Sequence, residues 1–174
     1  GVVERIAREA PGVIPLIHTD GCGAMGEAER FHKTIVGICK NPNNYAAIII
    51  GLGCEADDAK QVGREVEASG KPVFASVIQE DGGSDKVAIA AIGAAKKFLE
   101  DAKKCKREEV PISKLILATE CGGSDALSGV TANPAIGYVS DWVVANGGTS
   151  ILTETTELVG TEHLLAARAA TKEV

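Results

Sequence analysis

The stretch Tyr45 to Gly51, YAAIIIG, is apolar at nearly every position, and it constrains the fold more than any other feature of the chain. A strand with one wet face alternates apolar and polar residues. A strand that is apolar without a break is covered on both faces, as central strands of parallel sheets are. The sequence around it keeps a strand-then-helix rhythm. Val13 to Thr19 (VIPLIHT) reads as a first strand, pushed toward an edge by Pro15. A helix is expected from Gly26 to Lys40, with Ala28, Phe31, Ile35 and Ile38 on one face, and Asn41-Pro42-Asn43-Asn44 stops it. Ala56 to Ser69 reads as helix ending at Gly70, Val73 to Ile78 as strand, and Ser84 to Lys104 as a long helix. Beyond it come a strand at Lys114 to Thr119, a helix from Pro134 to Ala145, a strand at Thr149 to Thr153 and a helix starting at Glu162.

This alternation predicts an α/β fold: a mostly parallel sheet with helices on both faces, in Rossmann-like layering. The charged run from Lys103 to Pro111 is the best linker. It divides a first α/β lobe, residues 1–106, from the start of a second, residues 107–174, truncated at its end; one continuous domain is the alternative. The chain opens at Gly1 inside a helical pattern, as a piece of a longer protein does. The net charge of −6, with no basic stripe interleaved with aromatics, speaks against a nucleic-acid partner. No run approaches the roughly 18 apolar residues of a membrane span, and no secretory signal is legible. A cytoplasmic location is expected, where 5 cysteines are core fillers, metal ligands or reactive groups rather than a disulfide framework.

Three of those cysteines occupy corresponding places. Cys22 lies in Gly21-Cys22-Gly23 after the first strand, Cys54 in Gly51-Leu52-Gly53-Cys54-Glu55 after the second, and Cys121 in Cys121-Gly122-Gly123-Ser124-Asp125 after the fourth. Right-handed crossovers direct strand-to-helix loops to one edge of a sheet, where open α/β proteins bind ligands. Taken alone, a cysteine is a small buried hydrophobe. Three in equivalent loops point instead to a thiolate-rich centre, since thiolates suit iron, iron–sulfur clusters and zinc. No closely spaced Cys-x-x-Cys pair supports this, so the inference is topological. Cys39, near a helix end, and Cys105, in the charged linker, share no role with them.

Other groups near these loops carry two readings each. His18 can be a ligand, a general base, an orienting group or a histidine satisfied at a strand end. Glu55 can do acid–base work or bond a loop amide. Ser124 and Asp125 precede a helix or turn, where capping competes with catalysis. Gly21, Gly23, Gly53, Gly122 and Gly123 can let loop N–H groups cradle a carboxylate or phosphate. His32 reads as structural. Neither a P-loop lysine nor a GxGxxG spacing appears, which weakens nucleotide binding.

In this order, His18-Thr19-Asp20-Gly21-Cys22-Gly23, Gly51-Leu52-Gly53-Cys54-Glu55, Cys121-Gly122-Gly123-Ser124-Asp125 and Thr131-Ala132-Asn133-Pro134-Ala135 resemble the altronate/galactarate dehydratase family. Gly147-Gly148-Thr149, Thr153-Glu154-Thr155 and Glu162-His163-Leu164-Leu165 extend the resemblance over nearly the whole chain. It implies a lyase that removes water from a sugar acid to give a 2-keto-3-deoxy acid and depends on iron, as Fe2+ or an iron–sulfur cluster. The superfamily also includes the sulfolactate sulfo-lyase large subunit, which eliminates sulfite. A separate amino-terminal domain or small subunit is an implied partner, and a homo-oligomer is compatible with it. The hypothesis that follows gives metal binding to Cys22, Cys54 and Cys121. Its rival is a non-catalytic module that holds a small anion on the glycine-rich edge.

Overall fold

The computed structural model describes residues 1–18, 27–123 and 125–171. It divides into two compact units, Gly1–Lys106 and Arg107–Val174.

The first unit is a three-layer α/β/α arrangement. Its elements are α1 (Val2–Glu9), α2 (Ala28–Lys40), β1 (Ala47–Gly51), α3 (Ala59–Glu67), β2 (Val73–Val77) and α4 (Ser84–Ala102). β1 and β2 pair in parallel, from Ala47 opposite Val73 to Gly51 opposite Val77. Successive strand side chains point to opposite faces, and here both faces are covered. Ile48, Ile50 and Phe74 pack against Ile6, Ala10, Ala91, Ile92 and Ala95 of the α1–α4 side. Ile49, Val73 and Ala47 pack with Val36, Val62 and Val66 of α2 and α3. The unbroken apolar run is thus explained by burial on two sides. Each fully buried valine, such as Val66 and Val87, contributes about 1.5–3 kcal/mol. Gly63 lets α3 lie close to the sheet, because a β-carbon there would stand 2.8 Å from that of Ala75.

Several expectations shift. Val13 to His18 has no strand structure, and Thr19 lies outside the described residues. Pro15 offers no N–H to a ladder, and Ile14, Leu16 and Ile17 are exposed rather than packed in a sheet. The topological case that set Cys22 at a strand end loses its strand. On α2 the inward face is carried by Val36, with Ile35 and Cys39 beside it, while Ile38 is exposed. α3 starts at Ala59 instead of Ala56 because Asp58 caps it, accepting the Lys60 amide at 2.8 Å.

The second unit contains β3 (Ile116–Thr119), α5 (Ala132–Ala145), β4 (Thr149–Leu152) and the short α6 (Glu162–Ala166). β3 and β4 are again parallel, Ile116 opposite Thr149 through Thr119 opposite Leu152. Among the described residues the strands therefore form two parallel pairs, one in each unit. α5 is anchored by the buried Val143 and by a hydrogen bond between the Ser140 and Ser150 hydroxyls, 2.7 Å. It begins two residues earlier than Pro134, which still falls in the first turn, where a missing N–H costs no intrahelical bond.

Candidate functional site

In the first unit, the chain leaves β1 at Gly51 and enters the loop that carries Cys54. The parallel ladder runs slightly past the strand, with the Ile78 amide donating to the Gly51 carbonyl (2.8 Å) and the Gln79 amide to that of Leu52 (3.1 Å). The loop then folds around one carboxylate. Glu55 accepts from the amides of Leu52 (2.7 Å), Gly53 (2.6 Å) and Cys54 (3.0 Å). Gly51 leaves room for it, and Gly53 takes a φ of +118° that side chains other than glycine's rarely adopt. Partial burial pushes the Glu55 carboxyl up, but the amides of Gly53, Glu55 itself, Leu52 and Cys54 more than offset this and hold it below its ordinary value. The structure thus shows Glu55 as the loop's acceptor. Loop amides that a phosphate or substrate carboxylate would have used are already bonded to it. Cys54 is exposed.

The second unit repeats the relationship with a different chain path. Cys121 follows β3 and is exposed, and its amide donates to the Glu154 carboxylate at 2.7 Å. Glu154 follows β4, 33 residues further along. Thr153 ties the two strand ends: its amide donates to the Thr119 carbonyl at 3.1 Å and its hydroxyl to the same carbonyl at 2.6 Å. Glu154 was not among the residues singled out from the sequence for chemistry. Its role depends on a partner far away in the chain and on a left-handed backbone, neither of which a local motif announces. Asp125 caps the next turn, accepting the Leu127 amide at 3.2 Å. Among the described residues, a β-carbon at Gly122 or Gly123 would meet nothing within 4 Å.

Gly21, Cys22, Gly23 and Ser124 lie outside the described residues. His18 is exposed, its ring edge-on to Phe31 with centroids 4.8 Å apart. His32, on α2, is part-buried and reaches the Cys54 loop from the helix side. Its Nδ1 is 2.7 Å from Asp57 and its Nε2 is 3.1 Å from Glu65, the latter off the line of a hydrogen bond. Asp57 first, then Glu65, raises the affinity of this imidazole for its proton. Cys39 is half-buried and packed beside Val36, with burial raising its thiol, and Cys105 is exposed. Among the described residues, no group of three or more His, Cys, Asp or Glu side chains is placed to hold a metal ion. The exposed cysteines among the described residues are Cys54 and Cys105 in the first unit and Cys121 in the second. No helix among the described residues is long and apolar enough to cross a membrane.

Fold and loops together define an α/β chain whose cysteine-bearing turns leave the carboxyl ends of parallel strands and are braced by glutamates. Residues 1–103 match the family model for the D-galactarate dehydratase/altronate hydrolase second domain, and residues 112–174 that for the D-galactarate/altronate dehydratase C-terminal region. The chain belongs to the D-galactarate/altronate dehydratase family. It is 33% identical to the altronate dehydratase of Bacillus subtilis (strain 168), over 99% of this chain and 36% of that protein. It is 38% identical to the altronate dehydratase of Escherichia coli (strain K12), over 91% of this chain and 32% of that protein. Identity to the (2R)-sulfolactate sulfo-lyase subunit beta of Chromohalobacter salexigens is 36%, over 98% of this chain and 43% of that subunit. The chain thus spans about a third to two fifths of the length of these relatives. No solved structure matches it.

Proposed function

We propose that this chain is part of the core of an iron-dependent lyase that dehydrates a sugar acid of the altronate or galactarate type to a 2-keto-3-deoxy acid. The observation that carries the reading is the match to altronate dehydratase across 99% of the chain, joined to glycine-flanked, exposed cysteines at strand ends. Such an elimination removes a proton from the carbon beside a carboxylate and a hydroxyl from the next carbon. That proton is weakly acidic, so a positioned base and stabilisation of the growing charge are both needed. Cys22, Cys54 and Cys121 are the thiolate ligands we assign to iron, which when bound supplies positive charge against the carboxylate or the departing hydroxyl. His18 has the side-chain chemistry of the base. Glu55 contributes by holding the Cys54 loop in shape, and Asp125 by capping the turn after Cys121. One matched region is described as a second domain, and we propose that activity needs the domain or subunit preceding it. The location is cytoplasmic in this reading.

A second reading follows from the match to sulfolactate sulfo-lyase subunit beta. There the same proton abstraction would expel sulfite in place of hydroxide, and a partner subunit would complete the enzyme.

The test is anaerobic iron and acid-labile sulfide analysis of the full-length protein and of its Cys22→Ser, Cys54→Ser and Cys121→Ser forms. Turnover of altronate, galactarate and sulfolactate is measured on the same samples. Iron loss with each substitution and keto-acid formation from a sugar acid are expected. Full iron content in all three variants would remove the cysteines from the mechanism, and sulfite release alone would select the second reading.

A further inference from the structure

We propose that His32 is a proton-operated latch between α2 and α3: the imidazolium holds Asp57 and Glu65 together, and loss of one proton frees Glu65 while Asp57 stays bound. One part-buried ring stands between two carboxylates from different segments. Its Nδ1 is 2.7 Å from Asp57, in the turn before α3, and its Nε2 is 3.1 Å from Glu65, on α3 itself. Nε2 is shielded from water and has no hydrogen-bond partner among the described residues, so the charge of Glu65 is what it faces. An imidazolium carries two N–H groups and a neutral imidazole one. Two carboxylates therefore suit the charged ring, and the neutral ring must turn a lone pair toward one of them.

Burial decides which carboxylate is left. The Asp57 side chain is 14% exposed and that of Glu65 41%, so depriving Asp57 of its donor costs more. Glu65 can turn to water, and the Gln61 side-chain amide, donating at 3.1 Å, goes with it. The remaining proton stays on Nδ1. The nearby cations are engaged elsewhere: Lys60 with Glu80 and Arg64 with Asp58 on the α3 side, and Lys33, next to His32 on α2, with Glu29. Lys40, further along α2, acts on Glu65 at longer range and helps to keep it ionised. His18 faces the neighbouring Phe31. Asp57 first, then Glu65, hold the ring charged above its ordinary value of 6.5, so the latch is closed below that value and opens as pH rises through the raised one. What it releases is the first half of α2. The apolar cluster beneath the helix takes Ile35, Val36 and Cys39, all in its second half, whereas His32 supplies a polar tie in the first.

The experiment uses the full-length protein with 15N-labelled histidine, in wild-type, His32→Gln and Glu65→Gln forms, followed by ring-nitrogen NMR from about pH 6 to pH 9. Amide hydrogen exchange, corrected for its intrinsic pH dependence, is measured on the same samples, so neither readout involves metal or activity. The resonance missing from the His32→Gln spectrum should titrate above about 6.5 and carry its proton on Nδ1 when neutral. Protection of the amides of residues 31–34 should fall about fivefold across that titration, the equivalent of roughly one net hydrogen bond, while protection at residues 36–39 holds. His32→Gln should show the weaker protection at every pH. Glu65→Gln should lower the His32 midpoint and show at pH 6 the protection that wild type has at pH 9, with Nδ1 still protonated; it carries the comparison even if His32→Gln does not fold. A neutral ring protonated on Nε2, a midpoint at or below the ordinary value, or protection of residues 31–34 that ignores the His32 titration would each overturn the latch. So would a Glu65→Gln form that keeps the wild-type pH dependence.

Discussion

A β-carbon built on Gly51 would stand 2.5 Å from Oε1 of Glu55 and 2.8 Å from the β-carbon of Ala59. The last residue of β1 and the carboxylate that organises the following loop therefore compete for one volume. Gly51→Ala should displace Glu55 from the amides of Leu52, Gly53 and Cys54 and lower stability by about 1–3 kcal/mol, the usual cost of overpacking. Chemical denaturation of the variant checks the magnitude. Faster hydrogen exchange confined to residues 52–54 checks the cause.

Glu55→Gln tests the same loop through charge. The wild-type carboxyl is held below its ordinary value, so its contribution is present above the unfolded carboxylate value of about 4.3 and is lost as pH falls through the folded one. The variant should be less stable by about 2 kcal/mol near neutral pH, the scale of hydrogen bonds to a charged group. The gap should shrink as pH is lowered below about 4.3. Urea midpoints at pH 7, 5, 4 and 3 measure it, and a gap that does not change between pH 5 and 3 would contradict the account.

His32 acts in the opposite direction. Asp57 and Glu65 raise its affinity for a proton, so its stabilising contribution is complete below the ordinary imidazole value of about 6.5 and fades as pH rises through the raised value. His32→Gln should lose about 1–2 kcal/mol at pH 6, and its deficit should narrow toward pH 9. Thermal melts across that range give the comparison; a deficit that widens with pH would reverse the assignment.

The cysteines should separate by burial. Cys39 packs against the buried cluster of Val36, Ala47, Val62 and Val66, and burial raises its thiol, whereas Cys54, Cys105 and Cys121 are exposed. Under native conditions iodoacetamide should modify Cys39 at least about tenfold more slowly than Cys105, because the thiolate is the reactive form and access is blocked. Time-resolved peptide mass spectrometry reports each site. Equal rates would mean that α2 opens faster than the reagent reacts.

Much of the architecture was legible in local pattern. The run Ala47 to Ile50 demanded cover on two faces, and α1, α4 and α2, α3 supply it. Gly70, Pro134 and Asn146 marked helix limits to within a few residues, because turn and cap preferences arise within a few bonds of the chain. Of the strand expected at Val13 to Thr19, the described residues, 13–18, form none, since a strand exists only where another offers its hydrogen bonds and Pro15 cannot donate. On α2 the expected stripe held at Ala28, Phe31 and Ile35, which are part-buried, and shifted at its end: the partner surface decides which positions turn inward, and it takes Val36 and Cys39 while Ile38 is exposed.

The sequence by itself determined the alternation of elements from α2 onward, the family, and the glycine-flanked cysteines after β1 and β3, because each is written in neighbouring residues. Tertiary structure alone decided what the glutamates do. Glu55 could be read two ways until three amides were found on its carboxylate, and Glu154 acquired a role only when folding carried it across 33 residues to Cys121. Side-chain identity limits which bonds a residue can make, whereas the bond it does make is fixed by what the fold brings within about 3 Å.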